Sequence, residues 1–269
     1  MTYSRESVRL SIRVAMVVLS LATVFWTAPA RGQRVLNTER VDPRTVSGLF
    51  TRVETGIDLR GGNSDILSLK GNGIVGYHGE HSWILLMGGL SYLSSNDSVS
   101  SDDEYMQARY GWIFSPRTRT FHFVQIQKSR AQALSRRVLL GSGLRHAFAL
   151  SERNRLDLGG GVMWESELLN AARLPAGTST HSHDWRGDLI GVASHKLSST
   201  ATVSDVLYVE PRVDAPADIR VLNEATLAVK VVQGVDLNVS FHWLHDSRPP
   251  PSIGRDDVEF ITSISATVR

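Results

Sequence analysis

The sequence contains no cysteine, which excludes a disulfide framework and a thiolate metal site. Long apolar runs are scarce. One stands near the amino terminus, and no other approaches the length of a membrane-spanning helix. No segment has convincing 3.6-residue periodicity, and the basic stretch from Lys128 to Arg137 suits a helical turn or a strand end and loop equally well. Neither a nucleotide-binding glycine loop nor a G-x-S-x-G elbow occurs, and Gly159-Gly160-Gly161 falls inside a strand pattern. Nothing calls for a cofactor.

The apolar run has a pattern of its own. Arg5, Arg9 and Arg13 precede it, it extends from Val14 to about Thr27, and Ala28, Pro29, Ala30, Arg31 and Gly32 follow. A basic region, a short apolar region and a small-residue zone read as a secretory signal peptide over residues 1–32. A membrane anchor would need about 20 apolar residues. This segment holds four of the 29 Lys+Arg and one of the 27 Asp+Glu, which leaves 25 against 26, a net of −1. The basic isoelectric point therefore belongs to the signal, and no nucleic-acid partner is expected. Residues 33–47 read as a flexible periplasmic lead-in.

From about Gly48 to Arg269 the chain alternates with period two, the mark of strands with one apolar and one polar face. Twelve such segments begin near residues 49, 66, 82, 104, 119, 137, 155, 185, 202, 218, 235 and 258. In the first, Thr51, Val53, Thr55, Ile57 and Leu59 oppose Arg52, Glu54, Asp58 and Arg60. The second opposes Leu67, Leu69, Val75 and Tyr77 to Lys70, Asn72 and His78, and the tenth opposes Val221, Leu227 and Val229 to Arg220, Glu224 and Lys230. The fifth and ninth are less clean. A soluble sandwich or lipocalin-like barrel would bury the apolar face, whereas a transmembrane barrel turns it to lipid.

Three features favour an all-β, antiparallel, up-and-down transmembrane β-barrel of about twelve strands over residues 48–269. Glycines interrupt the apolar parity, at Gly71, Gly73 and Gly160, where a packed core would want bulk. Trp83, Tyr92, Trp112, Trp164, Trp185, Trp243 and Phe260 lie near segment ends, as interfacial girdles require. Connections alternate short and long, the long ones being Ser94–Asp103, Lys128–Ser135, Asn170–Asp184, Pro211–Ala217 and Asp246–Asp257. On this reading Arg52, Glu54, Asp58, Arg60, Lys70, Arg220, Glu224 and Lys230 line the lumen. They form either a paired-charge filling or a pore lining. The expected setting is the outer membrane, with outer-membrane lipid, lipopolysaccharide and the barrel-assembly machinery as partners of a monomer.

Several stretches resemble a family of unknown-function proteins commonly called salt-induced outer membrane proteins. They are GIDLRGGNSDILSLKGNGIVGY at 56–77, RRVLLGSGLRHAF at 136–148, LDLGGGVMWESE at 156–167 and HDSRPPPSIGRDD at 245–257. The resemblance covers nearly the whole mature chain. It implies an outer-membrane barrel with no established activity, a structural or small-solute transport role and a link to osmotic stress. Such barrels usually end in an aromatic residue, and this chain ends Ala266-Thr267-Val268-Arg269.

Candidate chemistry is sparse. His245-Asp246-Ser247 reads as part of a proline-rigid loop, and adjacency in sequence does not make a triad. His181, His183 and Asp184, read as a loop, have no second ligand set, so no metal site is assigned. A lipid-modifying enzyme would use a Ser–His pair on the outer wall. Ser142 and His146 lie over ~13 Å apart along one strand face, so such a pair would need a cross-strand partner that the sequence does not identify. No catalytic residue is assigned. The third alternative is a soluble periplasmic barrel that binds an apolar ligand.

Overall fold

The computed structural model describes residues 47–60, 66–95, 98–251 and 253–268, with the backbone alone given for 58–60, 66, 95 and 98–101. The expected signal peptide and nearly all of the lead-in lie outside the described residues. Twelve strands follow in order: β1 (Gly48–Arg60), β2 (Ile66–His78), β3 (Ser82–Ser95), β4 (Ser98–Trp112), β5 (Thr118–Ser129), β6 (Leu134–Leu150), β7 (Asn154–Leu169), β8 (His181–Lys196), β9 (Ala201–Pro211), β10 (Ile219–Val232), β11 (Val235–Asp246) and β12 (Asp256–Val268). Each pairs antiparallel with its sequence neighbours. β12 returns to β1 in the register Thr51↔Val268 to Thr55↔Ile264, so the barrel is closed. Closure pairs the two terminal strands, which would otherwise be open edges, over five residues of each.

Hairpin connectivity puts the start of β1 and the end of β12 at one end of the barrel, here called proximal. The turns at 79–81, 113–117, 151–153, 197–200 and 233–234 share that end. At the last, Gly234 has φ of +79°, and a Cβ there would lie 3.0 Å from the Thr267 carbonyl oxygen. The connections at 170–180, 212–218 and 247–255 lie at the opposite, distal end.

Two expected distal loops are strand instead. β3 continues to Ser95 and β4 starts at Ser98, so most of Ser94–Asp103 is hairpin. Likewise β5 runs to Ser129 and β6 starts at Leu134. The polar residues of these stretches still satisfy their backbone groups by pairing, and a polar composition does not prevent a ladder beyond the apolar zone. His181, His183 and Asp184 lie in β8, and His245 and Asp246 end β11, so neither group is in a loop.

The two faces differ in an unexpected way. Outward side chains are apolar and exposed, among them Val53, Ile84, Leu86, Leu140, Leu144, Leu189, Val239 and Ile264. The interior is not simply polar. Phe50, Ile74, Trp83, Leu85, Met87, Phe121, Phe123, Ile190, Val192, Val206 and Tyr208 are buried inside the barrel as one apolar cluster. The expected polar lumen is therefore half right. Trp83, expected at an interface, is 3% exposed within this cluster. In β3 and β5 both parities are apolar, so alternation could not reveal which residues face inward.

Small residues make the apolar cluster possible. A Cβ at Gly143 would lie 2.5 Å from both the Gly160 carbonyl oxygen and Cζ of Phe121, and one at Gly141 would collide with the Phe123 ring. The two glycines of the Gly-x-Gly strand thus clear floor space for Phe121 and Phe123, which stack with centroids 6.4 Å apart. Arg109 lies over both rings, 5.8 and 5.4 Å from their centroids, a cation–π contact in a water-poor setting.

Candidate functional site: the barrel interior

Three kinds of chemistry share the barrel interior. Toward the distal end is an ionic network on β6, β7, β8, β10 and β11. Glu165 is its hub, with Arg186 Nε at 3.3 Å, Arg137 Nε at 3.4 Å and the Arg220 guanidinium in contact. Arg220 also reaches Glu167 at 3.2 Å and Asp246 at 3.4 Å, and Arg186 reaches Asp218 at 3.1 Å. Glu165 is fully buried and Arg220 nearly so. Charges taken this far out of water persist only when they are paired and hydrogen-bonded.

The apolar cluster runs from Phe50 and Trp83 near the proximal turns to Leu222 and Leu244 near the distal end, and a glutamine ladder lies on β4 and β5. Gln107 donates to Gln125 and Gln125 donates to Gln127, each at 2.6 Å. Toward the proximal end a second ionic group centres on one carboxylate. Asp157, fully buried, is shared by Arg155 at 2.6 Å, Arg119 at 3.1 Å and Arg145 at 3.7 Å.

Of the residues expected to line the lumen, Arg52, Glu54, Lys70, Arg220 and Glu224 point inward. Arg52 donates to Ser265 at 2.7 Å, Glu54 accepts from Ser263 at 2.6 Å, Lys70 pairs with Glu259, and Glu224 meets His242 at 3.1 Å. Lys230 shares their parity but stands exposed near the proximal turn. The side chains of Asp58 and Arg60 lie outside the described residues. Arg119, Arg137, Arg145, Asp157, Glu165, Arg186 and Asp246 were not singled out from sequence. Their signal was a charge on the inward parity of β5 to β8 and β11. Their convergence depends on closure, which sequence does not display.

The remaining aromatics face outward. Trp164, Trp185, Trp243 and Phe260 cluster toward the distal end, where Trp164 stacks on His183 at 5.9 Å and Phe241 meets Phe260 at 5.0 Å. Tyr92 also lies on the outward parity of β3, toward that end. Trp112 marks the proximal end, joined there by Tyr77, Phe114 and Phe148. His181 and His183 are exposed on the outward parity, whereas Asp184 turns inward to Arg212 at 3.6 Å. Those three side chains therefore diverge. So do His245, Asp246 and Ser247. His245 meets Asp256 at 2.8 Å, Asp246 faces Arg220, and Ser247 donates to the Ala217 carbonyl oxygen at 3.1 Å. Ser247 also accepts from the Ile219 N–H at 2.8 Å, which ties this loop to the start of β10.

Two polar features interrupt the apolar outer wall. Asp205 of β9 accepts from Asn223 of β10 at 2.9 Å, the carboxylate that makes the ninth strand irregular. On the far side, register places His122 of β5 opposite Ser142 of β6, with Oγ and Nδ1 2.9 Å apart and Tyr110 stacked on the imidazole. His146 is taken by Thr118, also at 2.9 Å. The cross-strand partner that Ser142 required is thus His122, twenty residues away.

Comparison with known proteins is consistent with this architecture. No curated protein matches the sequence. Among solved structures, an outer membrane channel from Pseudomonas putida F1 superposes with a TM-score of 0.50 at 11% identity, over 87% of this chain and 100% of that one. NanC porin gives 0.49 at 11% identity, over 81% and 99%, and KdgM porin in complex with disordered oligogalacturonate gives 0.48 at 9%, over 82% and 99%. At 11% identity the likeness to the Pseudomonas channel concerns the fold alone. The model of the DUF481 family, proteins of unknown function, matches residues 53–267, and this chain belongs to that family.

Proposed function

We propose that this chain is an integral outer-membrane barrel whose lumen is closed by its own side chains, with a structural role in the envelope. One observation carries the reading: a closed sheet whose exposed outer face is apolar while its charged groups are buried inside. Contiguous apolar surface of that extent is unfavourable in water and is the expected coat of a barrel in lipid. The aromatics at both ends of the wall suit the two headgroup levels. The chain then works as a monomer, delivered through the signal peptide, inserted by the barrel-assembly machinery and surrounded by phospholipid and lipopolysaccharide. A role in osmotic or salt stress completes the reading, and growth of a deletion strain across salt concentrations addresses it.

The test is extraction followed by gel migration with and without boiling. The protein is expected to need detergent for release and to shift on heating. Release by osmotic shock without detergent, and no shift, would overturn the assignment and favour the soluble ligand-binding barrel.

The apolar cluster decides between a filled barrel and a pore. The wild-type protein is expected to give no discrete conductance steps in planar bilayers. Phe121→Ala combined with Phe123→Ala removes the stacked rings and should introduce steps. Steps of equal size and frequency in the wild-type protein would favour an open small-solute pore.

The Ser142–His122 contact supports a second reading, a lipid-modifying enzyme. Ser142 would be the nucleophile and His122 the base. It ranks second because a third, orienting group and oxyanion donors are not among the described contacts of the pair. Deacylation of phospholipid vesicles that disappears in both Ser142→Ala and His122→Ala would promote it.

A further inference from the structure

On the outside of the distal rim, from β5 to β8, the exposed charge is of one sign. From Ser129 to Arg136 and from Ser166 to His183 the charged side chains, besides two histidines, are Arg130, Arg136, Arg173 and Glu167. Glu167 turns inward to Arg137 and Arg220. Arg130, Arg136 and Arg173 are exposed, and none of their guanidinium groups meets a carboxylate among the described residues. Lys128 next to them is already held on its β4 side by Glu104 at 3.0 Å and Asp102 at 3.6 Å, so it does not belong to the group.

Two local features gather these arginines. Ser129 pairs with Leu134, and both are buried, so regular alternation would send Arg136 inward as well. The register shift between Leu134 and Arg136 inverts the phase, which turns Arg136 outward and aims Arg137 at Glu165. In the connection beyond β7, the Asn170 N–H donates to the Ala133 carbonyl oxygen at 2.7 Å, and the Arg173 guanidinium donates to the carbonyl oxygen of Arg130. Basic residues from two separate connections are thereby held together.

Below the group the wall turns apolar. Val124, Ile126 and Leu140 are exposed there, and Trp164 pairs with both Leu140 and Trp185 across the strands. Arg136 stands four residues beyond Leu140, roughly 13 Å along the strand. His183 lies between the two levels with its ring stacked on Trp164. Arginines just beyond an aromatic belt stand at the depth of lipid headgroups, and guanidinium groups take phosphate through paired, charge-assisted hydrogen bonds.

We propose that this patch binds a phosphate-headed membrane lipid, whose phosphate meets Arg130, Arg136 and Arg173 while its acyl chains lie on the apolar wall below. The inference rests on the lipid-facing reading of that wall. The experiment is native mass spectrometry of the full folded barrel in an uncharged detergent, titrated separately with dioctanoyl phosphatidic acid, dioctanoylglycerol and inorganic phosphate. Phosphatidic acid is expected to bind first, as a single copy per barrel, and more tightly than either of the others. Arg136→Gln and Arg130→Gln should each weaken it by about tenfold, the worth of one hydrogen bond to a charged group. Arg153→Gln removes the same charge from the exposed proximal turn and should leave the affinity unchanged. If Arg136→Gln fails to give the heat-shifted form, Arg130→Gln decides, because the oxygen that holds Arg173 belongs to the backbone and is retained. Absence of phosphatidic acid binding, equally tight binding of dioctanoylglycerol or inorganic phosphate, or equal losses in the Arg153 and arginine-patch variants would each overturn the proposal. A wild-type protein without a heat shift would overturn the lipid-facing reading itself, and the site with it, so the two failures are told apart.

Discussion

Replacing Arg220 by methionine should destabilise the barrel by about 3–5 kcal/mol, the range for breaking a buried ion pair from one side. The guanidinium touches Glu165, Glu167 and Asp246, all buried. Methionine fills much of the volume but leaves three carboxylates facing a smaller positive charge. The deficit is desolvation without compensation, so it cannot be relieved by small shifts of neighbouring strands. The measurement is the urea midpoint for unfolding in micelles, read by loss of the heat-shifted band. The exposed cluster of Lys128 with Glu104 and Asp102 supplies the contrast. Lys128→Met should cost no more than about 1 kcal/mol, as surface pairs generally do. Equal effects at the two positions would show that the interior network is solvated, and the closed-lumen reading would fall with it.

The second large effect concerns the outer wall. Val239 stands at the middle of β11, outward and about half exposed, between Leu227 of β10 and Thr262 of β12. In lipid, Val239→Arg should cost about 2–4 kcal/mol at midplane. On a water-facing wall the same change would fall within about 0.5 kcal/mol. Guanidinium titration of folding into phospholipid vesicles measures the difference, and the two environments predict values far enough apart to choose between them. Asp205 sharpens the test. It already places a carboxylate on that wall with Asn223 as its donor, so Asp205→Leu should stabilise a lipid-inserted barrel or leave it unchanged.

Much of this molecule is legible from local sequence. Alternation with period two is imposed by the pleat itself, so the existence and number of the strands, and the facing of Val53, Glu54, Lys70 and Glu224, follow from residues adjacent in the chain. Ten of the twelve strands begin within three residues of their expected starts. The exceptions are β4, which starts at Ser98, and β8, which starts at His181. There the ladder continues into polar sequence, and backbone pairing carries no compositional mark. The alternation of loop sides also follows, because every connection is a hairpin.

Closure and register decided the rest. Trp83 reads as an interfacial aromatic because both parities of β3 are apolar; only the curved wall places it against Gly111 rather than at the outer surface. The pairing of His122 with Ser142 depends on how β5 slides against β6, which a chain cannot express within one strand. Glu165 gathers Arg137, Arg186 and Arg220 from three other strands, the last fifty-five residues away. Sequence by itself determined a twelve-stranded antiparallel sheet with one apolar face. Which of its inward groups would meet was decided only when that sheet closed, because convergence across a lumen is a property of all the strands together.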